Sequence, residues 1–466
     1  MFRKISSAVT SVAGSLTGSP ARQLPPNHHD PARAESYVEL AKELQASGVP
    51  VSFDDCAACD HPCPPTEGSE GAGAGTIVEA GTIWEGKTYE QYVMDKYGDL
   101  GELPAGFDTD WESELAGSAK FGKGRVVVIS TGKSDWERDH TDEVDGFAHK
   151  LEKYISKAAV KEEKGGKGGK DKGGKDKGGK QEADFSKRPP VSSYVLPATL
   201  PPPSTDVTQA AAPHSAGMGS LFSSSLISQS DDPEDQTVLV FPDWKVCLEV
   251  ENSQSGAKGL WEGVLEPRLG RAGRPLAEEG GTERRRSWVL PYRAVILLCK
   301  LSSLLLSYRY ASLTRGGSHK RRDKRCSIAA PLLRSALVTV LSKHSINVDH
   351  TGSSLVALDG PALEEVTGGE AEREVEVGKR IAAIEGVHGG EGGEVGIFNI
   401  NHLGGHRYAG VMLILFPSGA FLSYGRVTPQ EIPRVVEETV LRGQIVPGLL
   451  RSAGSVQGNG KSLLNW

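Results

Sequence analysis

The sequence predicts an α/β protein of two domains. Its 466 residues are enough for two cores. Short β-branched runs, "GRVVVIS" (124–130), "VSSYVL" (191–196) and "TVLVFPDW" (237–244), read as strands. Between them "DEVDGFAHKLEKYISKAAV" (142–160) has helical periodicity. Glycine, at 57 residues, is well above its usual share, so much of the chain is loop.

In chain order, residues 1–35 read as a disordered or targeting tail: Arg3, Lys4 and Arg22 stand among many Ser and Thr, with no acid before Asp30. That is the composition of a mitochondrial presequence and equally of a mobile terminus. The cytoplasm is the first expectation and the mitochondrion the alternative. Residues 36–250 make an N-terminal α/β domain with two interruptions. Within the first, 161–181, the stretch 161–180 contains nothing but Lys, Gly, Asp and Glu, cannot bury a core, and is a solvated linker. The second, 197–236, is a mobile loop rich in Pro, Ser and Ala. Residues 251–290 connect to a C-terminal domain, 291–466.

That domain opens with "RAVILLC" (293–299), a buried strand ending in Cys299. "SIAAPLLRSALVTVLSKH" (327–344) is a helix, and "VGIFNI" (395–400), "VMLILF" (411–416) and "GAFLSYGRV" (419–427) are strands, the last two joined as a hairpin by "FPSG" (416–419). "PQEIPRVVEETVLRG" (429–443) opens with Pro and acids and closes at Gly443, the polarity of a capped helix. Strand, helix, three strands and helix, with a cysteine after the first strand, is the layout of a thioredoxin-like layer sandwich.

Candidate chemistry begins at "NINHLGGHRYAG" (399–410), where His402 and His406 flank Gly404-Gly405. On a helix the two imidazoles would share a face, but each glycine costs a helix interior roughly 1 kcal/mol, so the pair belongs to a loop leaving a strand. Such a pair is either a set of metal ligands or ordinary loop polarity. Cys326 ends "SHKRRDKRC" (318–326) at a helix N-terminus, where the dipole and the arginines favour a thiolate. One cysteine and two histidines leave a metal site incomplete. Cys299 supplies a fourth ligand, yet it lies 27 positions upstream, and "KLSSLLLSYRYASLTRGG" (300–317) has no place in a compact strand-to-helix connection.

"LLC", "SHKRRDKRC" and "NINHLGGHRYAG" followed by "LSYGRVTPQEIPRVVEETV" resemble the fungal sucrase/ferredoxin-like family, thioredoxin-like ferredoxins. The resemblance covers 237–466 closely and the N-terminal half more loosely, through "VISTGKSDW" (128–136). In that family a Cys, eight residues and a second Cys, with a later His-x-x-x-His, hold a [2Fe-2S] cluster. Removing 300–317 here leaves Cys299, the eight residues 318–325 and Cys326, which restores the spacing. Those 18 residues are read as an in-frame insertion, of the kind a retained intron would leave.

The resemblance implies a [2Fe-2S] cluster on Cys299, Cys326, His402 and His406, and a one-electron carrier rather than an enzyme with its own substrate. Replacing two of four thiolates with imidazoles makes a cluster less negative and raises its potential, to about −150 to +300 mV in Rieske centres against about −400 mV in plant-type ferredoxins. A ligating imidazole can also exchange a proton at its second nitrogen, so the potential should fall as pH rises. Lys320, Arg321, Arg322, Lys324 and Arg325 would offset cluster charge, dock an acidic redox partner, or form a solvated turn with Asp323. His319 is a bystander. The rivals are a structural Cys2His2 zinc module and a metal-free thiol oxidoreductase using Cys326.

Other signals carry less. Cys56, Cys59 and Cys63, with His61, are spaced for zinc or a second cluster, but Pro and Gly flank them and no second ligand pair follows at finger spacing. "ISTGKSD" (129–135) ends like a phosphate-binding loop, but Val127 stands where its first glycine belongs. "DHTDEVD" (139–145) reads as an acidic helix start, and Cys247 as core. No carboxylate pair supports glycoside hydrolysis. The net charge of −7 excludes an overall basic nucleic-acid binder, and the apolar run 294–308 is too short to span a bilayer.

Overall fold

The computed structural model describes residues 31–52, 89–104, 107–119, 124–136, 139–165, 188–196, 220–276, 286–300, 325–358, 360–456 and 462–464. Helices α1 (Pro31–Ala46) and α2 (Tyr89–Tyr97) precede β1 (Val126–Ser130), α3 (Phe147–Gly165), β2 (Val195–Leu196), β3 (Ser220–Ser224), β4 (Asp235–Phe241), β5 (Lys245–Glu251) and α4 (Gln254–Leu260). Then come β6 (Ser287–Val289), β7 (Ala294–Cys299), α5 (Arg325–Lys343), β8 (Asn347–Asp349), α6 (Glu370–Ala382), β9 (Glu394–Ile400), β10 (Met412–Leu415) and β11 (Phe421–Tyr424). The chain closes with α7 (Ile432–Arg434), which continues as a π-helix over Val435–Leu441, and β12 (Leu450–Gly454).

Several boundaries depart from the sequence reading. The helix expected from 142 begins at Phe147, because Asp139 caps a separate 3-10 turn, His140–Asp142, through the Thr141 N–H at 3.1 Å. It runs to Gly165, so the first residues of the Lys/Gly linker are helical. Ser220–Ser224, placed in the Pro/Ser-rich loop, is strand β3, and β4 likewise begins inside that stretch at Asp235. The rest of the linker and residues 197–219 lie outside the described residues.

The strands form one 12-stranded mixed sheet whose main path runs β2-β12-β11-β10-β7-β9-β3-β1-β4-β5-β6, with β8 also on β9. Two copies of one topology are visible in it. In the C-terminal copy β7 lies parallel to β9 and antiparallel to β10, which pairs antiparallel with β11, the strand order of a thioredoxin-like layer. In the N-terminal copy β1 lies parallel to β3 and antiparallel to β4, which pairs antiparallel with β5. Each copy inserts a long helix, α5 or α3, between its two parallel strands, the crossover that parallel pairing requires. The copies meet where β3 and β9 pair antiparallel through their last residues, Ser224 opposite Ile400. The carboxyl ends of both parallel pairs therefore converge at this junction.

Strand β7 is buried at all six positions, as a central strand covered on both faces must be. Ala294, Ile296 and Leu298 face a core shared with α5, while Val295 and Leu297 face a second core that extends across both copies. Helix α5 has the length and composition of a membrane span, but Ala329, Ala330, Leu333, Ala336, Leu337, Val340 and Leu341 are buried in the first of these cores.

The first described residues pack on the C-terminal copy, not the N-terminal one. Leu40, Leu44, Val49, Val51, Tyr89, Val93 and Tyr97 join the α5 core, and β2 pairs parallel with β12. Residues before and after 250 thus share one core. A polar cluster fastens α2: Glu437 accepts from Tyr92 Oη at 2.7 Å, from Lys96 Nζ at 2.7 Å and from Tyr97 Oη. Burial pushes the Glu437 carboxyl up, but hydrogen bonds from His344, Lys96, Tyr97 and Tyr92 outweigh it and hold the pKa at about 2 against 4.5. A depressed carboxylate pKa gives stability that is complete above the unfolded value and lost as pH falls through the folded one. Glu437→Gln should cost on the order of 2 kcal/mol at neutral pH and flatten the loss of stability between about pH 4.5 and 2. Urea unfolding of both chains across that window checks this, and an unchanged pH slope would refute it.

Candidate metal centre

Cys299 is the last residue of β7, its N–H bonded to the Val411 carbonyl at 3.1 Å. Cys326 is the second residue of α5, in the first turn, where exposed N–H groups favour a thiolate. Although 26 residues separate them in sequence, the two thiols are hydrogen-bonded to each other, and both are free cysteines. Residues 301–324, which include most of the expected insertion together with His319, Lys320, Arg321, Arg322 and Lys324, lie outside the described residues.

The histidines arrive from the loop after β9. Gly404 and Gly405 adopt φ of +71° and +74°, a left-handed conformation that costs glycine little, and they fold the loop back on itself. As a result the His402 and His406 rings stack, with centroids 4.3 Å apart and planes at 23°. Donor atoms of Cys299, His402 and His406 lie within 4.8 Å of one another, and Cys326 Sγ is 3.1 Å from His406 Nδ1. All four predicted side chains therefore meet at one point.

The two sides of this point differ. Cys299 and Cys326 are 2% and 1% exposed and pack with Val411 and Leu403, whereas the histidines are half-buried. The hydrogen bond with Cys326, followed by those with His402 and His406, holds the Cys299 thiol well below the ordinary range despite its burial. A thiol so biased loses its proton readily and becomes a soft donor. Cys247 behaves oppositely: burial in the N-terminal core pushes its thiol up to about 12, as suits a packing residue.

Two neighbours carry no sequence signal. Tyr408 is 1% exposed and donates to the Glu114 carbonyl at 2.9 Å, tying the histidine loop to the segment 107–119. Arg451, in β12, lies under the same loop: a Cβ on Gly405 would press into its guanidinium. Neither residue belongs to a ligand motif, and a lone arginine in an apolar strand looks unremarkable in sequence. Arg325, expected at a docking surface, bonds to the Asp108 carbonyl at 3.2 Å. Cys56, Cys59 and Cys63 lie outside the described residues.

A single tetrahedral ion, bonded at 2.0–2.3 Å, sets its donors roughly 3.3–3.8 Å apart. Three donors, from Cys299, His402 and His406, gathered within 4.8 Å, with the Cys326 thiol 3.1 Å from one of the imidazoles, have the size and chemistry of a metal centre. Soft thiolates suit zinc and iron–sulfur clusters alike.

The sequence model of the sucrase/ferredoxin-like family matches residues 115–452. Among curated proteins, "Altered inheritance of mitochondria protein 32" of Debaryomyces hansenii is 43% identical over 61 residues, 12% of this chain and 21% of its own length. The protein of the same name in Clavispora lusitaniae is 33% identical over 133 residues, 28% of this chain and 32% of its own. "Actin patches distal protein 1" of Saccharomyces cerevisiae is 27% identical over 125 residues, 27% of this chain and 28% of its own. The match thus spans less than a third of each relative. No solved structure matches.

Proposed function

Because the chain belongs to the sucrase/ferredoxin-like family, we propose that it is an electron-transfer protein holding a [2Fe-2S] cluster on Cys299, Cys326, His402 and His406. The observation that carries the reading is the meeting of two buried thiols with two half-buried imidazoles. When bound, such a cluster supplies a one-electron couple. The chain's own part is to fix the donors, exclude water from the thiol side behind Val411 and Leu403, and leave the imidazole side toward solvent. That side is where an electron would leave, and where the free nitrogen of each ring would take up or release a proton. An acidic partner approaching near Arg321, Arg322 and Arg325 belongs to the same proposal. The names of two relatives refer to the inheritance of mitochondria, which favours the mitochondrial alternative over the cytoplasm.

The tight spacing of the donors also suits one zinc ion in a structural module. Visible absorption with iron and zinc analysis of anaerobically purified protein separates the readings, using the chain as written and with 300–317 deleted. Colour and about two irons in both forms are expected, and the hydrogen bond between Cys299 and Cys326 in the chain as written supports this. Colourless, zinc-loaded protein would sink electron transfer, and colourless metal-free protein would leave a dithiol.

A further inference from the structure

Arg451 is 1% exposed and is held weakly for a buried charge. Its Nε donates to Ser118 Oγ at 3.1 Å, Nη1 to Ser423 Oγ at 3.4 Å and Nη2 to the Ser118 carbonyl at 3.5 Å. Other buried arginines fare better: Arg125 pairs with Asp243 at 2.9 Å and Arg271 with Glu374 at 3.0 Å. Among the described residues no carboxylate pairs with Arg451. Its acidic neighbours are the thiols of Cys299 and Cys326 and the phenol of Tyr408, whose ring centroid is 5.9 Å from its guanidinium carbon. A buried ion without a counter-charge costs several kcal/mol. The missing negative charge is therefore to be sought at the thiol site, the one acidic group of the surroundings that metal binding would ionise.

We propose that Arg451 is a positioning residue that supplies a fixed positive charge to the metal centre from beneath Gly405, and so favours its electron-rich form. The inference rests on the cluster reading. Two ferric ions, two sulfides, two thiolates and two neutral imidazoles sum to zero, and one electron, taken from an external one-electron donor that is thereby oxidised, brings the sum to −1. A cation fixed beneath Gly405 of the histidine loop stabilises the second state over the first, which raises the potential. Being buried, it does so with little screening by salt.

The test uses the full chain with Arg451→Lys, Arg451→Gln and Arg451→Met, reading potential by spectroelectrochemical titration, iron content, and thermal unfolding after chelation of metal. At a fixed applied potential, Gln and Met should lower the reduced-to-oxidised ratio at least tenfold, equivalent to about 59 mV for one electron, while Lys keeps it within about threefold. In metal-free protein the charge has no counter-ion, so Arg451→Met should unfold at the parent's temperature or above it. A coloured parent whose Gln and Met variants keep its potential overturns the role of Arg451. Equal loss of iron in all three variants, or a metal-free Met variant that unfolds earlier or fails to fold, overturns it too, since a purely structural arginine would behave that way. A colourless parent carrying zinc instead overturns the cluster reading itself.

Discussion

Cys326→Ala should take the protein from about two irons per chain to almost none and abolish its visible absorption. The thiol stands in the first turn of α5, touching both Cys299 and His406, so its loss leaves three donors and removes the hydrogen bond that contributes most to the lowered pKa of Cys299. Alanine is the best helix former, and the side chain it replaces is small, so the fold should lose no more than about 1–2 kcal/mol. Cys247→Ala is the matched control: an equally buried cysteine, in the core packed under α3 and α4, that should keep its full iron content. Iron analysis and absorption spectra of the two variants decide the matter. If Cys326→Ala stays coloured with its iron intact, the ligand set is wrong.

His406→Cys should leave the colour and move the potential down, on the order of 100 mV or more toward the all-thiolate range. A thiolate adds a negative charge that neutral imidazole lacks, so the electron-rich form is disfavoured. The substitution also removes one of two nitrogens able to exchange a proton, and the dependence of potential on pH should shrink with it. A redox titration at two pH values reads both effects. An unchanged potential would mean that His406, despite its 3.1 Å contact with Cys326, is not a ligand.

The candidate ligands were legible because chemistry-bearing residues crowd into short stretches: His402 and His406 within one glycine loop, Cys326 behind a basic run. The C-terminal strands were legible because β7 and β10 are continuous apolar runs, the pattern of strands buried on both faces. Strand β3 was missed because "SLFSS" offers two large apolar residues in five, and its pairing with β1 and β9 draws on partners far away in sequence. Arg451 was missed for a related reason. Its meaning comes from what it faces across the fold, and nothing within "LLRSAG" says that two thiols lie nearby. The repeated topology left no trace in residue identity: the site loops of the C-terminal copy carry Cys and His, whereas β1 of the N-terminal copy ends in Ser130.

The packing of α1, α2 and β2 on the C-terminal copy constrains the order of events on the ribosome. Val51 bridges to Ile445, the Ser52 N–H reaches the Ile445 carbonyl at 2.8 Å, and β2 has its partner in β12. During translation, Leu40, Leu44, Tyr89 and Val93 therefore emerge hundreds of residues before the surface that covers them is made, and such delayed long-range closure is slow and leaves apolar surface open. A stop codon a few positions upstream of 445 would deny both ends their cover at once. Its product, lacking about a twentieth of the chain, should be digested by proteases as quickly as one cut far earlier.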